Sequence, residues 1–170
     1  AEYMTACMTA EAGDIETCSE YITEARRMGF TILPPDINES FSDFTVVVED
    51  GEVTTNIRFG LGNIKNFGNE IGKAIIKERK EHGPYTSIEN FLERVKHKNL
   101  NKKSLEALIM CGALDAFGER GKLLANLDAL LTFHKDTASS GPVEYSLFGD
   151  LGEHAPKSVL TLTDVPPADM

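Results

Sequence analysis

The sequence predicts a mainly α protein with a small β-hairpin or sheet. Three observations carry this. Apolar residues recur three and four apart over long stretches, the period of a helix with one buried face. A single Asp50-Gly51 pair stands between two short runs rich in β-branched residues, the signature of a tight hairpin. Glycine or proline stands at most places where the periodicity stops. The 170 residues are enough for one domain or two small ones with a real core. An apolar content of 41% excludes a disordered polymer. No apolar run is long enough for a membrane helix, and neither end carries a signal or lipidation pattern. The start at Ala1-Glu2-Tyr3-Met4 and the end at Asp169-Met170 read as cuts from a longer protein.

Three segments are expected: 1–60, 61–134 and 135–170. In the first, Asp14 is placed to cap a helix whose apolar face is Ile15, Cys18, Ile22, Ala25 and Met28. Arg26 and Arg27 suit its last turn and Gly29 stops it. Phe30 to Leu33 is a short extended run halted by Pro34-Pro35, and residues 36–43 read as an acidic loop. Phe44–Val48 and Val53–Phe59 flank Asp50-Gly51 as the hairpin.

The second segment reads as helical throughout. Gly60–Lys65 is a short helix, Asn66-Phe67-Gly68-Asn69 a turn, and Glu70–Glu81 a helix with Ile71, Ala74 and Ile75 inward. Thr86 and Glu89 are spaced as a capping box ahead of Ile88, Phe91, Leu92 and Val95. Asn101 caps a helix carrying Leu105, Leu108 and Ile109, and Gly112 punctuates it. After a turn ending at Gly118, one helix is expected from Arg120 to His134. Residues 135–143 read as a linker, followed by a polar tail with one apolar island at Tyr145–Phe148.

The net charge of −10 argues against nucleic acid only while it is treated as an average. Residues 1–52 hold 12 acidic and 2 basic side chains, residues 53–135 hold 9 and 14, and residues 136–170 hold 6 and 1. A basic middle between acidic flanks permits polyanion binding there. Cys7, Cys18 and Cys111 lack metal-ligand spacing and read as reduced, buried thiols. His82, His97, His134 and His154 read as surface or helix-end residues.

The chemistry-bearing feature is the helix–turn–helix from Leu61 to Arg79. With Gly68 at the apex, the second helix opens with unpaired N–H groups and the positive end of its dipole, an anion site. The expected contacts to a duplex backbone are Lys65, Asn66, Phe67, Gly68, Asn69, Lys73 and Lys77, with Arg79 and Lys80 extending the basic face. Leu105–Gly112, Gly118, Arg120 and Lys122 repeat the plan, giving two helical hairpins in tandem. The other reading is an ordinary helical bundle acting as a protein-interaction module without a DNA role, its acidic first third docking a basic partner.

Several strings resemble the alpha subunit of bacterial DNA polymerase III, the C-family replicative polymerase. They are Arg27-Met28-Gly29 leading to Leu33-Pro34-Pro35-Asp36-Ile37-Asn38, Arg58-Phe59-Gly60-Leu61-Gly62-Asn63-Ile64-Lys65, Leu100–Ile109, and Gly112-Ala113-Leu114-Asp115. Their order resembles the family's distal fingers region (1–60) running into its tandem helix-hairpin-helix module (61–134) and a flexible tail (135–170). The chain departs from the family's Gly-Val-Gly-Glu-Gly turn: it has Asn66-Phe67-Gly68-Asn69-Glu70 and keeps only the central glycine. The resemblance also implies that Glu144-Tyr145-Ser146-Leu147-Phe148 is an internal peptide for the β sliding clamp, with Leu147 and Phe148 as the apolar anchor. Glu144 stands where the family usually has Gln.

Polymerisation needs paired carboxylates around two metal ions. No such pair stands in a strand context here, and the resemblance puts the catalytic palm with its divalent metal, Mg, upstream of Ala1. The fragment is therefore expected to be non-catalytic and to hold no cofactor or metal. Its expected partners are primer-template duplex DNA, the sliding clamp and other replicase subunits, in the bacterial cytoplasm at the replisome and with no membrane.

Overall fold

The computed structural model describes residues 1–139 and 159–164. It is mainly helical with one three-stranded sheet, as the periodicities predict. Helices α1 (Glu2–Ala10) and α2 (Ile15–Arg27) come first. Asp14 Oδ1 accepts from the amides of Glu16 and Thr17 at 3.0 and 3.3 Å, so the expected cap is in place. Those bonds hold the Asp14 carboxyl below its usual range.

Strands β1 (Thr31–Leu33), β2 (Thr45–Glu49) and β3 (Glu52–Arg58) form a sheet in the order β1-β3-β2. β1 runs parallel to β3, and β2 antiparallel with an irregularity between Val46 and Val48. The β2–β3 turn uses positive φ at both Asp50 (51°) and Gly51 (84°), the geometry that matches strand twist. Met4, Met8, Cys18, Ala25, Phe44 and Ile57 close a small core between α1, α2 and the sheet.

The larger core belongs to the helices α3 (Asn69–His82), α4 (Ile88–Arg94), α5 (Lys102–Met110), α6 (Arg120–Ala125) and α7 (Leu127–Ser139). Phe59 packs against both cores. The stretch expected as an acidic loop, 36–43, is a strut between them. Ile37 is fully buried among the helices and its amide donates to the Ala113 carbonyl at 3.0 Å. Asn38 exchanges two hydrogen bonds with the backbone of Tyr85. Buried Ser40 donates to the Phe59 carbonyl at 2.7 Å. A polar loop can be interior once its groups find such partners.

Gly60 is required by that strut. A Cβ there would lie 2.4 Å from backbone atoms of Ser42 and Asp43. The amides of Leu61 and Gly62 donate to the carbonyls of Phe41 and Ser42 at 2.8 and 2.9 Å, fixing where the first hairpin begins.

Several local expectations are corrected. Gly60–Lys65 is a 3₁₀ turn over Leu61–Asn63 rather than a longer helix. The cap of α4 is Ser87, accepting from the Asn90 amide, while Asn90 Oδ1 accepts from the Thr86 amide; Thr86 and Glu89 form no box. The capping box is at α5, between Asn101 and Ser104. The helix expected from Arg120 to His134 breaks at Asn126. That side chain donates to Lys122 O at 2.8 Å and Thr163 O at 2.9 Å and accepts from Thr163 N at 2.8 Å, an alternative to the helical ladder. α7 continues through Ser139, so the linker does not begin at residue 135. Residues 159–164 are docked: Leu160 and Leu162 pack on the helical core. His134 is buried, its Nδ1 3.0 Å from the Leu92 carbonyl, and Cys7 and Cys111 are half-buried rather than interior.

Candidate nucleic-acid interface

The first hairpin turns at Asn66 (φ 65°) and Gly68 (φ 84°). Asparagine tolerates that region and glycine is at home in it, so the departure at residue 66 keeps the backbone path. Gly68 precedes α3 and no side chain caps the helix. The first-turn amides of this 14-residue helix therefore face solvent at an exposed turn with the positive end of the dipole behind them. Asn66, Gly68, Asn69 and Glu70 are all exposed.

Phe67 serves this turn from inside. Its side chain is buried with Leu61, Ile64 and Ile71, and its amide already donates to Ile64 O. It holds the turn and offers no surface contact. Lys65 is exposed and makes no ion pair among the described residues. Lys73 lies 3.3 Å from Glu70 and so answers the acid at the start of α3. Lys77 pairs with Glu81 at 3.8 Å. Lys73, Lys77 and Lys80 line one shallow cleft beside Ser42. Arg79 does not join them. It is buried, donating to the carbonyls of Ile37 and Ser40 at 2.8 and 3.0 Å, with its guanidinium 5.5 Å from the Phe41 ring centre. Tyr85 lies beneath α3, its hydroxyl donating to Ile75 O at 2.9 Å, and burial pushes its pKa up to about 12.

The second hairpin differs. A 3₁₀ turn, Asp115–Phe117, leads to Gly118, whose φ of 161° is extended backbone open to any residue. α6 has only six residues. Arg120 is held by Asp115 through two hydrogen bonds of 2.6 and 2.7 Å, and Lys122 lies 2.5 Å from Asp164 of the docked segment. Both expected phosphate contacts are thus occupied by carboxylates of the same chain. Lys122 in turn holds the Asp164 carboxyl below its usual range.

The hairpin geometry is matched by comparison with known families. The family model described as "Helix-hairpin-helix motif" matches residues 29–124, more than half of the chain. The chain belongs to the helix-hairpin-helix family. The match begins just after α2 and so takes in the strut, whose Ile37 belongs to the hairpin core. This helix-hairpin-helix chain is also similar to DNA polymerase III subunit alpha of several bacteria. Identity is 43% over 140 residues with the Thermus aquaticus protein, covering 82% of this chain and 11% of that one. It is 39% over 181 residues with that of Helicobacter pylori strain 26695, covering 94% and 15%. With the Chlamydia pneumoniae protein it is 36% over 169 residues, covering 97% and 13%. The chain therefore spans only 11 to 15% of the length of these relatives.

The expected clamp peptide, Glu144, Tyr145, Ser146, Leu147 and Phe148, lies outside the described residues. No helix among the described residues is long and apolar enough to cross a membrane.

Proposed function

We propose that this helix-hairpin-helix chain is part of a bacterial replicative DNA polymerase, DNA-directed DNA synthesis being the activity of the whole protein. The part itself grips primer-template duplex through backbone phosphates without reading sequence. The observation that carries this is the first hairpin: a glycine turn feeding a long, uncapped, exposed helix N-terminus beside Lys65 and Asn66. Phosphate oxygens accept from such amides, and the nearby ammonium groups add a salt-sensitive attraction. Lys73 and Lys77 complete the cationic side. Arg120 and Lys122 contribute less, being held by carboxylates at 2.6 and 2.5 Å, closer than Glu70 and Glu81 come to Lys73 and Lys77 at 3.3 and 3.8 Å.

The same reading includes the sliding clamp as partner, through Glu144–Phe148, other replicase subunits through the longer chain, and a cytoplasmic setting. The Mg-dependent chemistry belongs to a palm outside this chain. Among the described residues one cluster of possible ligands stands on α3, Glu78, Glu81 and His82, with Arg94 3.1 Å from Glu78.

Titration of duplex DNA at two salt concentrations tests the DNA reading. Affinity falls steeply with salt if phosphates are the target; affinity indifferent to salt contradicts it. For the clamp, Leu147→Ala combined with Phe148→Ala abolishes recovery on immobilised clamp, and unchanged recovery refutes that part. The alternative, a protein-interaction module, has one observation in its favour. An apolar cleft of about 740 Å³ lies between α2, the 63–66 turn and α5, with exposed Ile15 and Met110 on its walls. It predicts duplex retention unaffected when Lys65 and Lys73 are reversed to Glu.

A further inference from the structure

A second concave surface carries a stronger positive charge than either hairpin turn. It is a cleft of about 640 Å³ between the α4–α5 loop and α7, lined by Lys96, His97, Lys98, Lys102 and Lys135 with Asp128 as the one acid. Asp128 is engaged by Lys102 at 2.9 Å. Lys96, Lys98 and Lys135 make no ion pair among the described residues. Concave walls of one sign focus the potential onto whatever enters.

The cleft is built before any ligand arrives. Buried Leu100 anchors the loop, and its amide donates to His97 O at 2.9 Å. The Asn99 amide donates to His97 Nδ1 at 3.2 Å, which leaves the proton of a neutral ring on Nε2 as a donor. His134 fastens α7 to α4 through the Leu92 carbonyl.

The start of α5 supplies an independent observation. Its first turn opens with Lys102 and Lys103 and has no acid. Cations at a helix N-terminus oppose the dipole, so helix stability does not account for them. Lys102 faces this cleft, while Lys103 lines the other one together with Lys65 and Asn66 of the first hairpin turn. The start of α5 thus stands between the two clefts, with one lysine on the wall of each, the other cleft being mostly apolar and holding Glu106.

We propose that the cleft between the α4–α5 loop and α7 is a further phosphate-backbone site for the DNA held by the first hairpin. The strand leaving Lys65 and Asn66 passes Lys103 and Lys102 and lies against Lys96, Lys98 and Lys135, with His97 donating to a phosphate oxygen. This rests on the DNA reading above and extends its footprint to the α4–α5 loop and α7.

The test is a fluorescence-anisotropy titration of a 20-base-pair duplex across a salt series. It compares the whole chain with the Lys96→Gln, Lys98→Gln, Lys135→Gln triple variant and with Lys65→Glu, Lys73→Glu. For the triple variant the slope of log affinity against log salt drops by about 2 to 3, and affinity near 0.1 M salt falls about tenfold. All three side chains are solvent-facing, so the urea midpoint stays in place; Lys98→Glu alone, with a smaller loss in the same direction, covers a triple variant that misfolds. If the hairpin variant loses affinity while the triple variant and Lys98→Glu keep both affinity and slope, the cleft proposal is overturned and the DNA reading stands. If the unaltered chain shows no salt-dependent binding, both fall.

Discussion

The first hairpin turns through a glycine at φ 84° into a 14-residue helix with no side-chain cap, whereas the second passes through an extended glycine into a helix of six residues. The first leaves its amides and Lys65 open to solvent. The second closes Arg120 and Lys122 onto Asp115 and Asp164. Two stretches with the same glycine-and-cation pattern thus divide the labour: one presents donors, the other holds the docked 159–164 segment and the α5–α6 corner.

Substitutions in the two hairpins sharpen that contrast. The largest difference is between the two arginines. Arg79→Ala strips the Ile37 and Ser40 carbonyls of their buried partner and lowers unfolding free energy by about 2–4 kcal/mol, read by urea denaturation. Arg120→Ala removes an exposed pair and costs under about 1 kcal/mol. An equal cost at both would erase the distinction.

The glycines come next. Gly68→Ala forces a Cβ into positive φ and costs about 1–3 kcal/mol. Gly118→Ala meets Leu123 at ordinary contact distance in extended backbone and costs less than about 0.5 kcal/mol. A large loss at Gly118 would show that the two turns are alike after all.

Alkali separates the hairpins by a smaller margin. Tyr85 lies under the first, and the second, residues 102–139, has no tyrosine. Its pKa is raised above the unfolded value of 10.0 to about 12, so the neutral hydroxyl stabilises the fold fully below pH 10. That contribution is lost as pH rises through about 12. Absorbance at 295 nm shows a late phenol step near pH 12 that Tyr85→Phe removes. Amide exchange in that window quickens around α3 before α6.

The smallest effect is at Asp164. Asp164→Asn releases Lys122 from its carboxylate and raises duplex affinity about twofold at low salt, the scale of one exposed ion pair. No change would mean that Lys122 takes no part in binding.

Where neighbours in sequence decide the outcome, the pattern was readable. Asp14, the Asp50-Gly51 turn, Asn66, Gly68 and the Asn101 cap all act within four residues of themselves. The misread positions answer to distant partners. Arg79 meets carbonyls about 40 residues away, and Asn126 pairs with Thr163 across 37 positions. Arg79 falls on the inward face by its spacing from Ile71 and Ile75, but nothing local supplies the carbonyls that accept from it, and nothing local marks Asn126 as a break. Phe67 sits in a basic turn yet points inward, because a hairpin that exposes its backbone needs an apolar post beneath it. The Lys96–Lys135 cleft was invisible for the same reason: its walls are brought together by α4 packing on α7.

The most direct measurement compares charge reversal at the two turns on one salt series with duplex DNA. Lys65→Glu with Lys73→Glu should lower affinity at least about tenfold and flatten the salt slope, while Arg120→Glu with Lys122→Glu should lower it only about two- to threefold. Equal losses at both turns, or full affinity after reversal at the first, would contradict the account.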